Sequence, residues 1–158
     1  MTTLRKQLLP GHRLIGLDPG SKVVGVALSD VSLMIASPFS QIPRTKLAQM
    51  AHEIGQIARV HSVGGLVIGL PLSMDGTLGP AAQAARDWAH AIQDETGLPT
   101  ALFDERLSSS AVNRFLKNEA DYSRRKRAEL VDQLAAAYML QAALDASMPE
   151  DELADPNI

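Results

Sequence analysis

Three carboxylates in this sequence stand at positions that suggest chemistry. Asp18 ends an apolar run and is followed by Pro19-Gly20, and Glu105 comes two residues after an apolar segment that ends at Phe103. Asp132 has alanines four residues before and after it, in a segment with helical spacing. An unpaired carboxylate is costly to place among apolar residues, so such acids need a cation or a hydrogen-bond donor. If the chain brings the three acids together, they repel one another unless positive charge lies between them.

The ligand chemistry of such a site favours a hard divalent cation. The chain has no cysteine, which excludes a thiolate-bound metal and a thiol nucleophile. Ligation by carboxylate oxygens alone suits Mg²⁺ or Mn²⁺ rather than zinc. Two such ions about 4 Å apart can activate a water, hold a phosphate oxygen and stabilise the leaving oxygen of an in-line displacement. Convergence of Asp18, Glu105 and Asp132 therefore predicts a phosphodiesterase that needs Mg²⁺ or Mn²⁺ and no nucleophilic side chain.

Each acid also has a simpler interpretation. Aspartate before Pro-Gly is typical of a turn, which would explain Asp18. Glu105 and Asp132 could each be stabilised near a helix N-terminus by the helix dipole. The alternative function from another class is a non-catalytic nucleic-acid-binding factor that keeps the acids only for structure.

The elements that must position these acids follow from apolar runs and turn residues. Runs of strand length predict strands over 13–18, 23–28, 65–70 and 99–103, with a weaker extended segment over 32–42. Helical spacing predicts a helix capped by Thr45 that ends near Val60, one from Pro80 to about Thr96 with a stop at Gly97, one from Ser108–Ser110 to about Lys117, and an Ala/Leu-rich one that ends near Ala146. Strands joined by short turns pair antiparallel, whereas strands separated by helices usually pair parallel. The order predicts an α/β fold with three antiparallel leading strands and then parallel strands.

Length and composition predict one globular domain. The chain has 158 residues, of which 46% are hydrophobic and 21% charged. We expect a flexible leader over 1–12, a single domain over 13–147 and an acidic tail over 148–158. The longest apolar stretches fall short of the roughly 20 residues of a membrane span, and no secretory signal is readable. A cytoplasmic protein without a membrane partner is therefore expected.

Basic side chains stand beside the acids and in one cluster. Lys22 and Arg106 are close in sequence to two of the acids, and four consecutive basic residues, Arg124, Arg125, Lys126 and Arg127, lie in a polar stretch before the last helix. Such side chains can bind phosphates, and several together give binding that weakens with salt. They predict a nucleic-acid partner, although ion pairs with neighbouring acids or a solvated face would account for the same residues. Only 4% of the residues are aromatic, which favours recognition of backbone shape over base stacking.

Four segments together resemble the YqgF family, whose members are described as Holliday-junction resolvases or pre-16S rRNA nucleases. They occur in the family's order and are 16–30 (GLDPGSKVVGVALSD), 68–77 (IGLPLSMDGT), 104–109 (DERLSS) and 125–136 (RKRAELVDQLAA). The resemblance covers about Arg13 to Leu144. It implies a ribonuclease H-like fold, a mixed five-stranded sheet flanked by helices. It also puts the family's three acidic positions on Asp18, Glu105 and Asp132.

The resemblance implies a metal-dependent nuclease that matures the 5′ end of pre-16S rRNA, with structured RNA of the ribosome precursor as its partner. Resolution of a four-way DNA junction is the alternative with the same chemistry. Two cuts in a junction favour a dimer with symmetric sites, whereas one RNA end does not require it, so a monomer or weak homodimer is expected. The sequence departs from the family pattern at Pro19, where an aromatic residue is usual, at Val23, where arginine is usual, and at Ser108-Ser109, where Thr-Thr is usual. Loss of the arginine would weaken a phosphate contact, but no proposed metal ligand is missing.

Overall fold

The computed structural model of the protein describes residues 1–20, 22–71, 79–104 and 124–147, with side chains in the last of these ranges from Gln133 onward. The elements in chain order are α1 (Thr2–Gln7), β1 (Arg13–Pro19), β2 (Val23–Ser29), β3 (Ala36–Pro43), α2 (Leu47–His61), β4 (Val63–Leu70), α3 (Pro80–Thr96), β5 (Thr100–Asp104) and α4 (Arg124–Ala146). The helix predicted over Ser108–Lys117 and the acidic tail lie outside the described residues.

The five strands form one mixed sheet in the order β3-β2-β1-β4-β5. β1 pairs antiparallel with β2, and β2 pairs antiparallel with β3. β4 pairs parallel with β1, and β5 pairs parallel with β4. This confirms the predicted topology. It follows from the connections, because short turns join the leading strands while helices α2 and α3 separate the later ones.

Helices cover the sheet on both faces. Successive side chains of a strand point to opposite faces, and in β1 they divide between two cores. Leu17 packs in the core that includes Ile54 of α2 and Trp88 of α3. Leu14 packs in the core that includes Leu140 of α4. In β4, Ile68 packs in the first of these cores and Val67 in the second. The apolar run over 65–70 is therefore part of a strand covered on both faces, as its composition indicates.

The helix ends show where local signals were sufficient. α3 begins at Pro80 and ends before Gly97, whose φ of 71° is the left-handed conformation expected of a C-cap glycine. The prediction of Thr45 as the cap of α2 is wrong, since Lys46 is the N-cap residue and makes no side-chain cap hydrogen bond.

β3 begins at Ala36 instead of near residue 32, because the preceding residues form a turn on Asp30. Ser32 Oγ donates to Asp30 Oδ2 over 2.6 Å, and this bond lowers the pKa of the Asp30 carboxyl.

The N-terminal leader contains a short helix that contacts α4. Residues Thr2–Gln7 form α1, and Leu4 is only 4% exposed in the α4 core. Arg5 Nη1 donates to the carbonyl oxygen of Leu144 over 3.2 Å and to Ser147 Oγ over 3.3 Å. Space for the leader exists because position 65 is glycine, where a Cβ would lie 2.8 Å from Leu4 Cδ1. None of the helices in the described ranges is long and apolar enough to cross a bilayer.

Replacing Leu4 with alanine is expected to lower the free energy of unfolding by about 2–3 kcal/mol, because a buried side chain is removed and its space is only partly refilled. Urea denaturation measures the change. Thr3→Ala, at an exposed position of the same helix, is the matched control. A midpoint for Leu4→Ala equal to that of Thr3→Ala would show that α1 does not stabilise the domain.

Candidate active site

Asp18 lies near the carboxyl end of β1, the central strand of the sheet. Leu14, Gly16 and Asp18 are two residues apart along the strand, so they are on the same face of the sheet. Leu14 and Gly16 both face α4. Asp18 is therefore on the α4 face, and it pairs with Gly25 of β2 within the ladder. It belongs to the strand and not to the following turn, so the simple turn interpretation does not describe its position.

The carboxylate of Asp18 is flanked by glycines on both neighbouring strands. Gly25 is its registered partner on β2, and extension of the Leu17–Ile68 register by one residue puts Gly69 of β4 on its other side. Neither glycine has a side chain that covers the acid. The residue is half-buried, and no described residue donates a hydrogen bond to its carboxylate or forms an ion pair with it. A carboxylate that is free of such interactions can act as an oxygen ligand of the kind that hard divalent cations prefer.

Helix α4 approaches β1 closely at Gly16. A Cβ at position 16 would lie 2.8 Å from Leu140 Cβ and 3.3 Å from the carbonyl oxygen of Ala136. The C-terminal end of α4 reaches the amino ends of the strands, since Gln141 Oε1 accepts a hydrogen bond from the backbone N–H of Ala36 over 2.9 Å. The N-terminal half of α4 therefore extends toward the carboxyl ends of the strands. Residue 132 is in that half, one helical turn before Ala136.

The carboxyl end of β5 lies at the level of Asp18. Phe103 pairs with Gly69 and packs against the α4 core, so β5 reaches the same level of the sheet on the same face. Asp104 ends the strand and makes an interaction of its own. Glu105, the next residue, and Arg106 are outside the described residues. Among the residues that are described, no three potential metal-ligating side chains form a group.

The four-residue basic cluster has a different secondary structure from the one predicted. Arg124, Arg125, Lys126 and Arg127 were expected in a polar stretch ahead of the last helix, but α4 begins at Arg124. Arginine and lysine are good helix formers, so a basic run can open a helix as readily as a loop. The cluster therefore lies at the end of α4 that extends toward the carboxyl ends of the strands. Lys22 is exposed in the turn between β1 and β2.

Arg44 lies at the edge of the sheet where β1 and β3 end, and the sequence analysis did not single it out. It follows β3 directly, and its Nη1 donates to the carbonyl oxygen of Gly20 over 2.7 Å. Its backbone N–H donates to the carbonyl oxygen of Lys22 over 2.9 Å. The only available signal was a cation placed immediately after Pro43, where the third predicted strand ends. Trp88, expected in the core, is buried there.

A second missed residue is Gln41 of β3. It pairs with Gly25, so it lies at the level of Asp18 and on the same face, two strands away. Its side-chain Oε1 is buried and has no hydrogen-bond partner in the part of the chain that the structure describes. Buried acceptors usually have a partner, which makes this oxygen unusual. No sequence signal distinguishes Gln41 from any other polar residue of an edge strand.

Comparison with known proteins identifies relatives along almost the whole chain. Residues 12–146 match the family described as RuvX, Holliday junction resolvase. A protein of Gluconobacter oxydans named "Putative pre-16S rRNA nuclease" is 60% identical over 147 residues, covering 93% of this chain and 92% of the relative. A protein of the same name from Gluconacetobacter diazotrophicus is 62% identical, covering 93% of this chain and 96% of the relative.

Solved structures share the fold at low sequence identity. T. thermophilus RuvC in complex with a Holliday junction substrate has a TM-score of 0.53 and 16% identity, covering 87% of this chain and 96% of RuvC. Fowlpox virus resolvase, in complex with Holliday junction DNA, has a TM-score of 0.51 and 8% identity, covering 87% of this chain and 99% of the resolvase. These similarities and the sheet order confirm the ribonuclease H-like fold.

Proposed function

Because the chain belongs to the RuvX family and is therefore a phosphodiester hydrolase, we propose that it matures the 5′ end of pre-16S rRNA and depends on Mg²⁺ or Mn²⁺. The observation that carries the proposal is the state of Asp18. It is a half-buried carboxylate at the carboxyl end of the central strand, without a hydrogen-bond or ion-pair partner among the described residues. Open α/β sheets bind their ligands at that edge.

The proposed metal ligands are Asp18, Glu105 and Asp132. Asp18 fits the group, because its carboxylate is free among the described residues and the glycines on the neighbouring strands place no side chain over it. The position of residue 132 in α4, one turn beyond the close contact at Gly16, supports Asp132 as the second ligand. Glu105 follows a strand that ends at the same level, which supports it as the third. Three carboxylate ligands suit Mg²⁺ or Mn²⁺.

Divalent ions bound there would supply an activated water and charge stabilisation at the phosphate oxygens. The other groups of the site are proposed to bind the substrate. Lys22, in the turn after Asp18, and Arg106, next to Glu105, would hold oxygens of the phosphodiester. Arg124, Arg125, Lys126 and Arg127 would bind backbone phosphates further along, helped by the helix N-terminus at which they lie.

Structured RNA is the proposed substrate because the relatives at 60% and 62% identity are named for pre-16S rRNA. The description of the matched family favours a second candidate, a four-way DNA junction. Both candidates use the same site and differ in the shape of the backbone that the basic residues must follow. For the RNA substrate we propose a cytoplasmic enzyme that acts as a monomer or weak homodimer.

Cleavage of defined substrates tests the proposal. Purified wild-type protein is incubated with an end-labelled pre-rRNA 5′-leader fragment, a four-way DNA junction or linear duplex DNA, each with Mg²⁺, Mn²⁺ or EDTA. We expect cleavage of the RNA fragment alone, only with metal, and none by Asp132→Asn. Paired cuts in the junction instead would favour the resolvase. Binding without any cleavage would favour the non-catalytic factor, and equal cleavage by Asp132→Asn would refute the site assignment.

A further inference from the structure

We propose that Arg44 binds a phosphate of the nucleic-acid backbone at the edge of the sheet where Asp18 lies, an inference that rests on the proposed function. Arg44 lies at the end of β3, and two hydrogen bonds join it to the turn between β1 and β2. Gly20, which accepts the side-chain bond, is two residues from Asp18, at most about 7 Å of extended chain. The guanidinium therefore lies at the same edge of the sheet as Asp18, on the side of β3, and it contacts Trp88 on the α2–α3 face while the Asp18 side chain is on the α4 face.

The side chain of Arg44 is held in place although the residue is exposed. Its Cζ lies 5.7 Å from the centroid of the Trp88 ring, within the range of a cation–π contact. Trp88 is buried and packed in the α2–α3 core, so the ring is a fixed support. A long side chain that is already restrained loses less freedom when it binds a ligand. Arg44 is thus preorganised in a way that a free surface arginine is not.

The positive charge of Arg44 is available to a ligand. A guanidinium has five N–H donors and no acceptor, and among the described residues only Gly20 accepts from this one. No described carboxylate forms an ion pair with it. Arginine offers a planar pair of donors that matches the oxygens of a phosphate.

Neighbouring residues define the chemistry of the ligand. Lys22 is joined to Arg44 through its backbone, and Lys46 is the N-cap residue of α2 two positions after it. Both lysines are exposed. Arg44 and Lys46, with no acid between them in the sequence, and Lys22 on the neighbouring turn make three cations, which favour a polyanion over a single carboxylate ligand. The nucleic-acid strand would then extend from Asp18 across the amino end of β2 toward the carboxyl end of β3.

Binding measured without cleavage tests this role. The wild type, Arg44→Gln and Arg44→Lys are titrated in EDTA against labelled pre-rRNA 5′-leader fragment and four-way junction at several salt concentrations. Arg59→Gln is the matched control, because Arg59 is an exposed arginine near the end of α2 that leads to the amino end of β4. We expect Arg44→Gln to bind about 5- to 10-fold more weakly. The plot of log affinity against log salt should become shallower, its slope smaller in magnitude by about 0.7–0.9, which corresponds to the loss of one phosphate contact.

A purely structural role predicts a different pattern. If Arg44 only holds the turn, Arg44→Gln lowers the melting temperature relative to Arg59→Gln and leaves the salt slope unchanged, which would overturn the inference. Recovery of most of the affinity and of the slope in Arg44→Lys supports a charge contact. A wild type that binds neither nucleic acid also overturns it. The wild type could also bind nucleic acid and cleave none. If Arg44→Gln then still shows the weaker salt dependence of affinity, the proposed function fails while the phosphate contact stands.

Discussion

Replacing Asp18 with asparagine is expected to lower the rate of metal-dependent cleavage at least about 100-fold and to leave nucleic-acid binding intact. A carboxylate that ligates the ions stabilises transition-state charge by several kcal/mol, and each 1.36 kcal/mol is tenfold in rate. The substitution keeps the size of the side chain and removes its charge. Single-turnover cleavage and fluorescence anisotropy, measured on the same preparation, separate chemistry from binding.

The stability of Asp18→Asn distinguishes the metal site from a structural acid. No described residue donates a hydrogen bond to the Asp18 carboxylate, so the variant should unfold at a temperature close to that of the wild type. Asp94→Asn, an exposed acid in α3, is the matched control and should retain full activity. If Asp18→Asn melts much lower and loses binding as well, Asp18 is structural; unchanged cleavage would refute its role as a ligand.

A methyl group at position 16 is the second change with a large expected effect. In Gly16→Ala the new Cβ would lie 2.8 Å from Leu140 Cβ and 3.3 Å from the Ala136 carbonyl oxygen. Both atoms are fixed to the backbone of α4, so the helix must move away from β1. Overpacking of this kind costs about 1–3 kcal/mol of unfolding free energy. Gly16→Val should cost more than Gly16→Ala.

The same displacement should reduce activity, because α4 holds residue 132. A shift of about 1 Å at a catalytic group can cost up to 10²-fold in rate, so we expect a loss of about 10- to 100-fold at a temperature where Gly16→Ala is fully folded. Gly55→Ala is the control, since a Cβ at this helical glycine meets no atom within 4 Å and should stabilise the protein slightly. Full activity in Gly16→Ala would show that the spacing between α4 and β1 does not set the site.

Most of the fold could be predicted because its signals are local. The five strands, the connections between them, and the Pro80 and Gly97 ends of α3 depend on neighbouring residues, and the structure confirms them. The prediction of where α4 begins was wrong because it also relied on local signals. A basic run carries no local signal that separates a helix from a loop.

Signals in the sequence were enough to predict the strands, most of the helices, the mixed sheet and the three acids that are candidates for the site. How those elements meet depends on contacts between residues that are far apart in the chain. Arg44 contacts Gly20 across 24 residues, and Arg5 contacts Leu144 across 139 residues. Such contacts depend on which faces pack and how closely, as at Gly16, where a missing side chain sets the distance between α4 and β1. Residue spacing encodes the face of a strand or helix, but the partner of that face is selected by the free energy of packing the whole chain.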